Sequence, residues 1–282
     1  MAEASIPVDL ANPGQVFACM GFLEASHAVF GPAEAGFNCA DKTDPRFVLA
    51  ANCTKNPIEE VLDFLVNAEI KVLAPKGSKD ATLLKTDDLP IIITDTYPAD
   101  KVDALTLPVR FADKNRHLDL TPWCDESSRK PFKLFAGKQR STVIVKRMRE
   151  AIKGLWEKER DGLVADPFGK TVPLGGSSFK MDARKSWTPI DVGYSPDEQA
   201  HAVEASPVVE LLAAIGLEHA RPQVLEGYEV RYGVWEPNLP PSLARAALGA
   251  SNIGVPMRTF RFRLAKAGQN KVVTFAKEEE GL

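Results

Sequence analysis

Residues 12–30 read NPGQVFACMGFLEASHAVF, an almost uninterrupted apolar run that opens with a helix start signal. Asn12 is a residue type favoured at the N-cap, and Pro13 suits the first helical position, so we predict a helix over residues 15–30. Gly21 lies inside this helix, where glycine costs about 1 kcal/mol relative to alanine. A packing reason is therefore expected, because the missing Cβ lets a second backbone approach closely.

A later stretch, residues 207–219, reads PVVELLAAIGLEH and repeats the features of the first. It also starts at a proline, carries a glycine (Gly216) among small and apolar residues, and has a glutamate soon after that glycine. We predict a second apolar helix here. Duplication of an α/β half would produce two similar helices, and two short matches also arise by chance. Duplication and chance similarity both stay open.

The rest of the chain mixes strand and helix periodicities without a regular βαβ rhythm. This favours an α+β fold of mixed sheets and packed helices, with two related lobes as one arrangement of it. Strands are predicted over residues 6–9, 47–50, 89–94, 107–111 and 228–235, the third and fourth of them buried. Further helices are predicted from Pro57, over 141–160 with Ser141 as cap, and over 242–248. Residues 259–265 and 271–276 are predicted to form a hairpin with its turn at 266–270, and the tail at 278–280 is expected to fray.

Composition divides the chain into four segments. We expect an N-terminal α/β lobe over residues 1–128, a basic segment and helix over 129–160, an extended connection over 161–206 and a C-terminal α+β lobe over 207–282. Hydrophobic residues make up 44% of the chain, and its net charge is −3. No apolar run approaches the roughly 20 residues of a membrane span. With no signal-peptide pattern at the N-terminus and four unpatterned cysteines, a cytoplasmic protein is predicted.

The most unusual charge pattern is an island of basic residues at 129–149. It holds eight Lys and Arg and no acid, although the whole chain has 35 basic against 38 acidic residues. Clustered cations repel one another, so a polyanion such as a phosphate backbone is the expected partner, with a solvated surface as the plain alternative. The candidate nucleic-acid-binding residues of the island are Arg129, Lys130, Lys133, Lys138, Arg140, Lys146 and Arg149.

The helix predicted over 141–160 would be amphipathic. Its apolar face would carry Ile144, Met148, Ile152 and Leu155, and its opposite face Lys146, Arg149, Lys153 and Arg160. This is the geometry of a helix that follows a phosphate backbone, and also of many ordinary surface helices. Phe132 and Phe135 lie among the island's cations. They could stack on bases, but anchoring a loop to the core is the favoured reading.

Two further basic clusters lie outside the island. Period-2 alternation points Arg261 and Arg263 outward from a strand. The loop residues Lys180, Arg184 and Lys185 make the other cluster. Three basic clusters on an acidic chain favour nucleic-acid binding over any other single function.

No catalytic, metal or cofactor motif is found. The histidines His27, His117, His201 and His219 are scattered, without metal-ligand spacing. The tripeptide GKT at 169–171 does not complete a phosphate-binding loop, since Val164 stands where that motif needs glycine. We therefore predict a non-catalytic protein without a cofactor. The alternative is a metal-independent ribonuclease with His117 as its base.

Four blocks of sequence resemble one known family. They are NPGQVFACMGFLE at 12–24, KLFAGKQ at 133–139, WTPIDVGYSP at 187–196 and ELLAAIGL at 210–217. Together and in this order they resemble CRISPR-associated proteins of the type I-G (formerly I-U) effector complex. The family is similar in role to the large subunit of type I (Cascade-like) surveillance complexes, for which this chain is short.

The resemblance implies a subunit at one end of a ribonucleoprotein built on the guide RNA, used in antiviral defence. Such a subunit would contact target DNA, guide RNA or both, and help to recognise the short motif that flanks the target. Its partners would be other effector subunits and a recruited helicase–nuclease, with base pairing supplying most of the sequence specificity. The alternatives are a metal-independent endoribonuclease that processes guide RNA and a protein–protein scaffold.

Overall fold

The computed structural model describes residues 1–77, 86–124, 132–135, 139–174, 178–185, 204–267 and 270–279. Its helices are α1 (Pro13–Phe30), α2 (Pro57–Asn67), α3 (Ser141–Ala165), α4 (Pro207–Gly216) and α5 (Pro241–Leu248). They pack with mixed and antiparallel sheets, which confirms the predicted α+β class.

The strands form three larger sheets and two short ribbons in the described part of the chain. The strands are β1 (Ala2–Pro7), β2 (Ala33–Asn38), β3 (Arg46–Ala51), β4 (Glu69–Pro75), β5 (Ile91–Thr94), β6 (Val109–Asp113), β7 (Arg116–Leu120), β8 (Val172–Pro173), β9 (Glu204–Ala205), β10 (Gln223–Val224), β11 (Glu229–Trp235), β12 (Met257–Arg263), β13 (Ala265–Ala267), β14 (Asn270–Val272) and β15 (Lys277–Glu278). The sheet orders are β1-β3-β2, β5-β4-β6-β7 and β10-β11-β12-β15, and the ribbons are β8-β9 and β13-β14. Every pairing is antiparallel except that of β4 with β5.

Helices α1 and α4 cross at their two glycines, and this crossing is the centre of the fold. A Cβ added to Gly21 would lie 2.0 Å from the carbonyl oxygen of Leu212, and one added to Gly216 would lie 2.1 Å from that of Phe17. Both distances are far below any real contact, so each glycine is required by the backbone of the other helix. The predicted close approach is confirmed.

The crossing is reciprocal. Each glycine meets the carbonyl of the residue four positions before the other glycine. The residues six positions before the glycines also act alike: the Oε1 atom of Gln15 accepts a backbone hydrogen bond from Asp9, and that of Glu210 accepts two, from Met181 and Asp182. Each helix is followed by an antiparallel strand pair, β2–β3 and β11–β12, and the sheets that contain these pairs differ in strand order.

Tertiary hydrogen bonds connect the first and last thirds of the chain. The Trp235 indole N–H donates to the carbonyl of Ala35 at 2.8 Å, which joins β11 to β2. The Tyr232 hydroxyl donates to the carbonyl of Leu10 at 2.6 Å. Both donor side chains are buried in one apolar core that also contains α1 and α4.

Two predicted helix caps are corrected. Asn12 occupies the N-cap position of α1, but its side chain makes no cap hydrogen bond. Its Nδ2 instead donates to the buried carboxylate of Asp182 at 3.0 Å, and its Oδ1 accepts the N–H of Ala183 at 3.2 Å. Ser141 lies inside α3, and its hydroxyl donates to the carbonyl of Leu107 at 2.9 Å. In both cases a tertiary partner replaces the local cap.

Four strand and boundary predictions are also corrected. Strand β5 is an edge strand, not a buried one, with Ile93 53% exposed. Helix α3 continues to Ala165, past the boundary expected at residue 160. The predicted hairpin is shorter than expected: it joins β13 to β14, so Lys266 lies in a strand and not in the turn. Strand β12 is not part of it, because β12 pairs with β11 and β15. At the tail, Glu278 belongs to β15 and pairs with β12, so it does not fray.

No helix in the described ranges is long and apolar enough to cross a membrane. Cys19 and Cys124 are buried, and Cys39 and Cys53 are partly buried.

Candidate nucleic-acid interface

The structure separates the predicted basic residues by what their side chains contact. Arg129, Lys130 and Lys138 lie outside the described residues, as does the 187–196 block. The remaining candidates fall on α3, on the loop at 178–185, on β12 and beside the β13–β14 hairpin.

Helix α3 has the predicted amphipathic pattern, with Ile144, Met148, Ile152 and Leu155 buried. Several of its cations, however, have internal partners. Arg140 forms an ion pair with Asp87, and the Lys146 Nζ donates to the carbonyl of Asp87 at 2.7 Å. The Arg149 guanidinium donates to the carbonyl of Val66 at 3.2 Å. These side chains dock the helix on neighbouring segments.

The cations in the C-terminal half of α3 also have side-chain partners. Arg160 lies 2.6 Å from the Glu59 carboxylate and stacks over the Trp156 ring at 4.3 Å. Lys153 stands 3.9 Å from Glu157, an exposed pair one helical turn apart. Exposed pairs of this kind contribute little to stability and leave the cation accessible.

The basic residues of the 178–185 loop surround a buried carboxylate, that of Asp182. The Arg184 guanidinium holds Asp182 at 2.6 Å and also donates to the carbonyl of Phe168. Lys185 donates to the carbonyl of Leu174, and Lys180 is itself buried. Asp182 also accepts the backbone N–H of Ser206, the N-cap of α4. This cluster therefore neutralises and orders a polar centre where α1 and α4 begin.

On β12 the predicted alternation is present, with Arg261 and Arg263 exposed and Phe262 between them buried. Arg261 lies 3.2 Å from the Glu229 carboxylate. Within the described part of the chain, no side-chain partner is found for Arg263.

The β13–β14 hairpin concentrates lysines beside the basic island. Lys266 is paired directly with Lys271 across the hairpin, and the backbone N–H of Lys271 donates to the carbonyl of Leu134, next to Lys133. Burial lowers the pKa of Lys133, and burial and the nearby Lys133 both lower that of Lys271. We call Lys133, Lys266 and Lys271 the hairpin lysines. Like charges placed opposite each other cost stability, as expected of a site for an anion.

Two of the hairpin lysines were not among the sequence candidates. The sequence placed Lys266 in a turn and Lys271 in a longer strand, so their direct pairing could not be read from it. The favoured reading of the island's aromatics agrees with the structure. Phe135 is buried against Trp123 and Phe179, with the Lys133 ammonium 4.9 Å from its ring, and Phe132 packs against Phe17.

A separate cleft of about 420 Å³ brings two of the scattered histidines to one place. His117 on β7 and His219 after α4 both line it, together with Tyr97 and Arg110. Burial raises the pKa of Tyr97 to about 12. Arg110 holds Asp119 through two hydrogen bonds of 2.6 and 2.8 Å, which raise the arginine's pKa.

A half-buried acid, Glu218, also lines this cleft. The Glu218 carboxylate accepts the backbone N–H of Thr121, and burial raises the carboxyl's pKa. Two imidazoles beside a phenol and a guanidinium can transfer protons and bind an anion. The sequence did not reveal this grouping, because it joins a strand residue to one about a hundred positions later.

Among the described residues, no group of three or more His, Cys, Asp or Glu could hold a metal ion. Comparison of the chain with protein-family models, curated proteins and solved structures found no match.

Proposed function

We propose that this chain is a non-catalytic subunit of a CRISPR RNA-guided DNA surveillance complex of the type I-G kind, acting in the cytoplasm. In that role it contacts target DNA or guide RNA, helps to recognise the flanking motif, and assembles with other effector subunits and a helicase–nuclease. The four sequence blocks support the family. Two of them, 12–24 and 210–217, contain the glycine pair at the helix crossing.

The observation that carries nucleic-acid contact is the cluster of hairpin lysines. Lys266 and Lys271 face each other across two strands, and Lys133 lies close enough to lower the pKa of Lys271. A phosphate backbone would relieve this repulsion and release its own counterions on binding. Arg140 and Lys146 at the start of α3 contact Asp87 and do not belong to this cluster.

The test is a salt titration of target-DNA binding by the complex assembled with guide RNA and partner subunits. The slope of log affinity against log salt concentration measures the number of phosphate contacts. Substituting the three hairpin lysines by alanine should reduce the size of this slope by about 3, roughly one per lost phosphate contact. The control replaces Lys42, Lys55 and Lys158, exposed lysines on other elements, and removes the same charge. Equal slopes for the two variants would rule out the hairpin lysines as a nucleic-acid contact. Assembly without bound nucleic acid would favour the scaffold reading.

The cleft supports a second candidate, metal-independent RNA cleavage. His117 and His219 share one cavity, as a general base and acid must. Incubating precursor guide RNA with the protein in the presence of a chelator tests it. Cleavage lost in both His117→Ala and His219→Ala, and kept in the control His27→Ala outside the cleft, would establish the enzyme. No cleavage by the parent would exclude it.

A further inference from the structure

Tyr228 and Phe275 are the two aromatic side chains that are about half exposed within the described ranges, each at 50%. They lie far apart in sequence, yet both adjoin the end of β12. The carbonyl of Tyr228 accepts the N–H of Leu264 at 3.0 Å, and the Thr274 hydroxyl donates to the carbonyl of Arg263 at 2.7 Å. The backbone of Tyr228 and the residue before Phe275 therefore both contact the Arg263–Leu264 segment.

The exposure of Phe275 is fixed by its neighbours. The N–H of Val273 donates to the carbonyl of Lys180 at 3.3 Å, and that of Ala276 donates to the carbonyl of Ala11 at 2.7 Å. Val273 and Ala276 are both buried. The backbone on each side of Phe275 is thus held against the core while the ring between them faces solvent.

Tyr228 is exposed at the expense of a strained backbone. It has φ of 66° and follows Gly227, whose φ is 67°. The left-handed region is rarely adopted by a bulky aromatic residue, and such strain concentrates at functional sites. A glycine or asparagine would satisfy this turn more easily, so the tyrosine side chain itself needs an explanation.

Charge indicates what the aromatic pair would bind. Arg263 is exposed on β12, and Lys266 is exposed at the start of the neighbouring hairpin. Aromatic rings that stack on bases, beside cations that hold phosphates, are the usual means of binding single strands without sequence preference. A duplex offers no open base faces to such rings.

We propose that Tyr228, Arg263 and Phe275 form a stacking site for the unpaired bases of a single-stranded nucleic acid. The proposal rests on the proposed function and specifies its ligand: a displaced DNA strand or an unpaired stretch of guide RNA. The rings stack on successive bases, and Arg263 contacts the phosphate between them.

The experiment measures binding of the full-length chain to fluorescent oligo-dT, oligo-U and a duplex of equal length. Substituting Tyr228 and Phe275 together by alanine should weaken single-strand binding about ten- to hundredfold, leave duplex binding unchanged and leave the salt slope unchanged. The control substitutes Ile93 and Leu243, exposed apolar residues on other elements, by alanine. Comparison of oligo-dT with oligo-U identifies the strand that the site prefers.

Tyr228→Gly separates binding from folding. Glycine relieves the left-handed strain, so this variant should have a Tm equal to or above that of the parent and yet bind single strands more weakly. Single-strand binding unchanged in the double-alanine variant, with the salt slope reduced in the hairpin-lysine variant, would overturn the stacking site and leave the proposed function standing. A parent chain that binds none of the three probes would overturn both.

Discussion

At the scale of single residues, the two crossing glycines make the sharpest prediction. Alanine at Gly21 or Gly216 would place a methyl group 2.0 or 2.1 Å from a carbonyl oxygen of the other helix. Both helices are buried and cannot separate without opening the core, so we expect each substitution to lower the free energy of unfolding by about 3 kcal/mol. Urea denaturation of the purified variants measures this.

Gly154 provides the matched control for these substitutions. It lies in α3, and a Cβ there would have nothing within 4 Å. Gly154→Ala should therefore stabilise the protein by up to about 1 kcal/mol, as helix propensity predicts. A gain at Gly21→Ala and Gly216→Ala like that expected for Gly154→Ala would show that the close helix crossing is absent.

Glu210 is the most constrained ionisable residue in the polar centre between α1 and α4. Its Oε1 atom accepts two backbone hydrogen bonds, and its Oε2 atom is buried without a hydrogen-bond partner in the described structure. Burial raises the carboxyl's pKa, and it outweighs the hydrogen bond from the Asp182 backbone N–H, which lowers it. The negative charge of Asp182 also raises the pKa, and the charges of Lys185 and Lys180 lower it. The protonated form is therefore favoured on folding.

This pKa shift fixes the sign of a pH dependence. Above the ordinary value of 4.5 and up to the raised value, the folded protein holds a proton that the unfolded chain releases, so stability falls as pH rises. Glu210→Gln keeps an acceptor for both N–H groups and cannot ionise. We expect its stability relative to the parent to improve as pH rises from about 4 to 7 in urea titrations. A constant difference across that range would contradict the raised pKa.

The residue scale also shows what a sequence reveals. The role of Gly21 and Gly216 could be predicted, because a glycine inside an apolar helix has few other uses. The partner of Asn12 could not, since its amide contacts Asp182, a residue 170 positions away. A local cap and a tertiary hydrogen bond require the same residue type at the same place.

At the scale of elements, α3 illustrates the same division. Its buried stripe followed from the spacing of Ile144, Met148 and Ile152 along one helix. The use of its cations did not, because it depends on Asp87, which a turn with φ of 58° brings to the start of the helix. A row of cations on a helix wheel therefore does not identify a free binding face.

Arg140 tests this interpretation of α3. Its partner Asp87 has a side chain only 13% exposed, so Arg140→Ala should leave a poorly solvated carboxylate and lower stability by about 1–2 kcal/mol, a value reduced for the partial exposure of the pair. The salt slope of nucleic-acid binding should stay unchanged. Lys153→Ala, at an exposed pair, should alter stability by less than about 0.5 kcal/mol. A smaller salt slope for Arg140→Ala would show that Arg140 contacts the nucleic acid, and α3 would then be part of the interface.

At the scale of the whole molecule, the hairpin lysines and the two-histidine cleft arise from long-range pairing. Their members are contributed by segments that no local pattern connects, such as Lys133 with Lys271 and His117 with His219. Composition predicted a local basic surface at residues 129–149, and of the hairpin lysines only Lys133 belongs to that segment. The positions of both groups follow from sheet register and from where α4 ends.

The same long-range packing implies that the ends of the chain fold together. Helix α1 is buried continuously from Pro13 to Ser26, largely by α4, and the indole of Trp235 bonds to Ala35. A fragment of residues 1–203 would expose this apolar helix, so we expect it to lack stable tertiary structure alone. It should regain near-ultraviolet circular dichroism when residues 204–282 are added, and the Gly216→Ala version of the second fragment should restore less. A first fragment that unfolds cooperatively by itself would show that the N-terminal lobe is independent, and the glycine crossing would then be a docking contact, not the centre of the core.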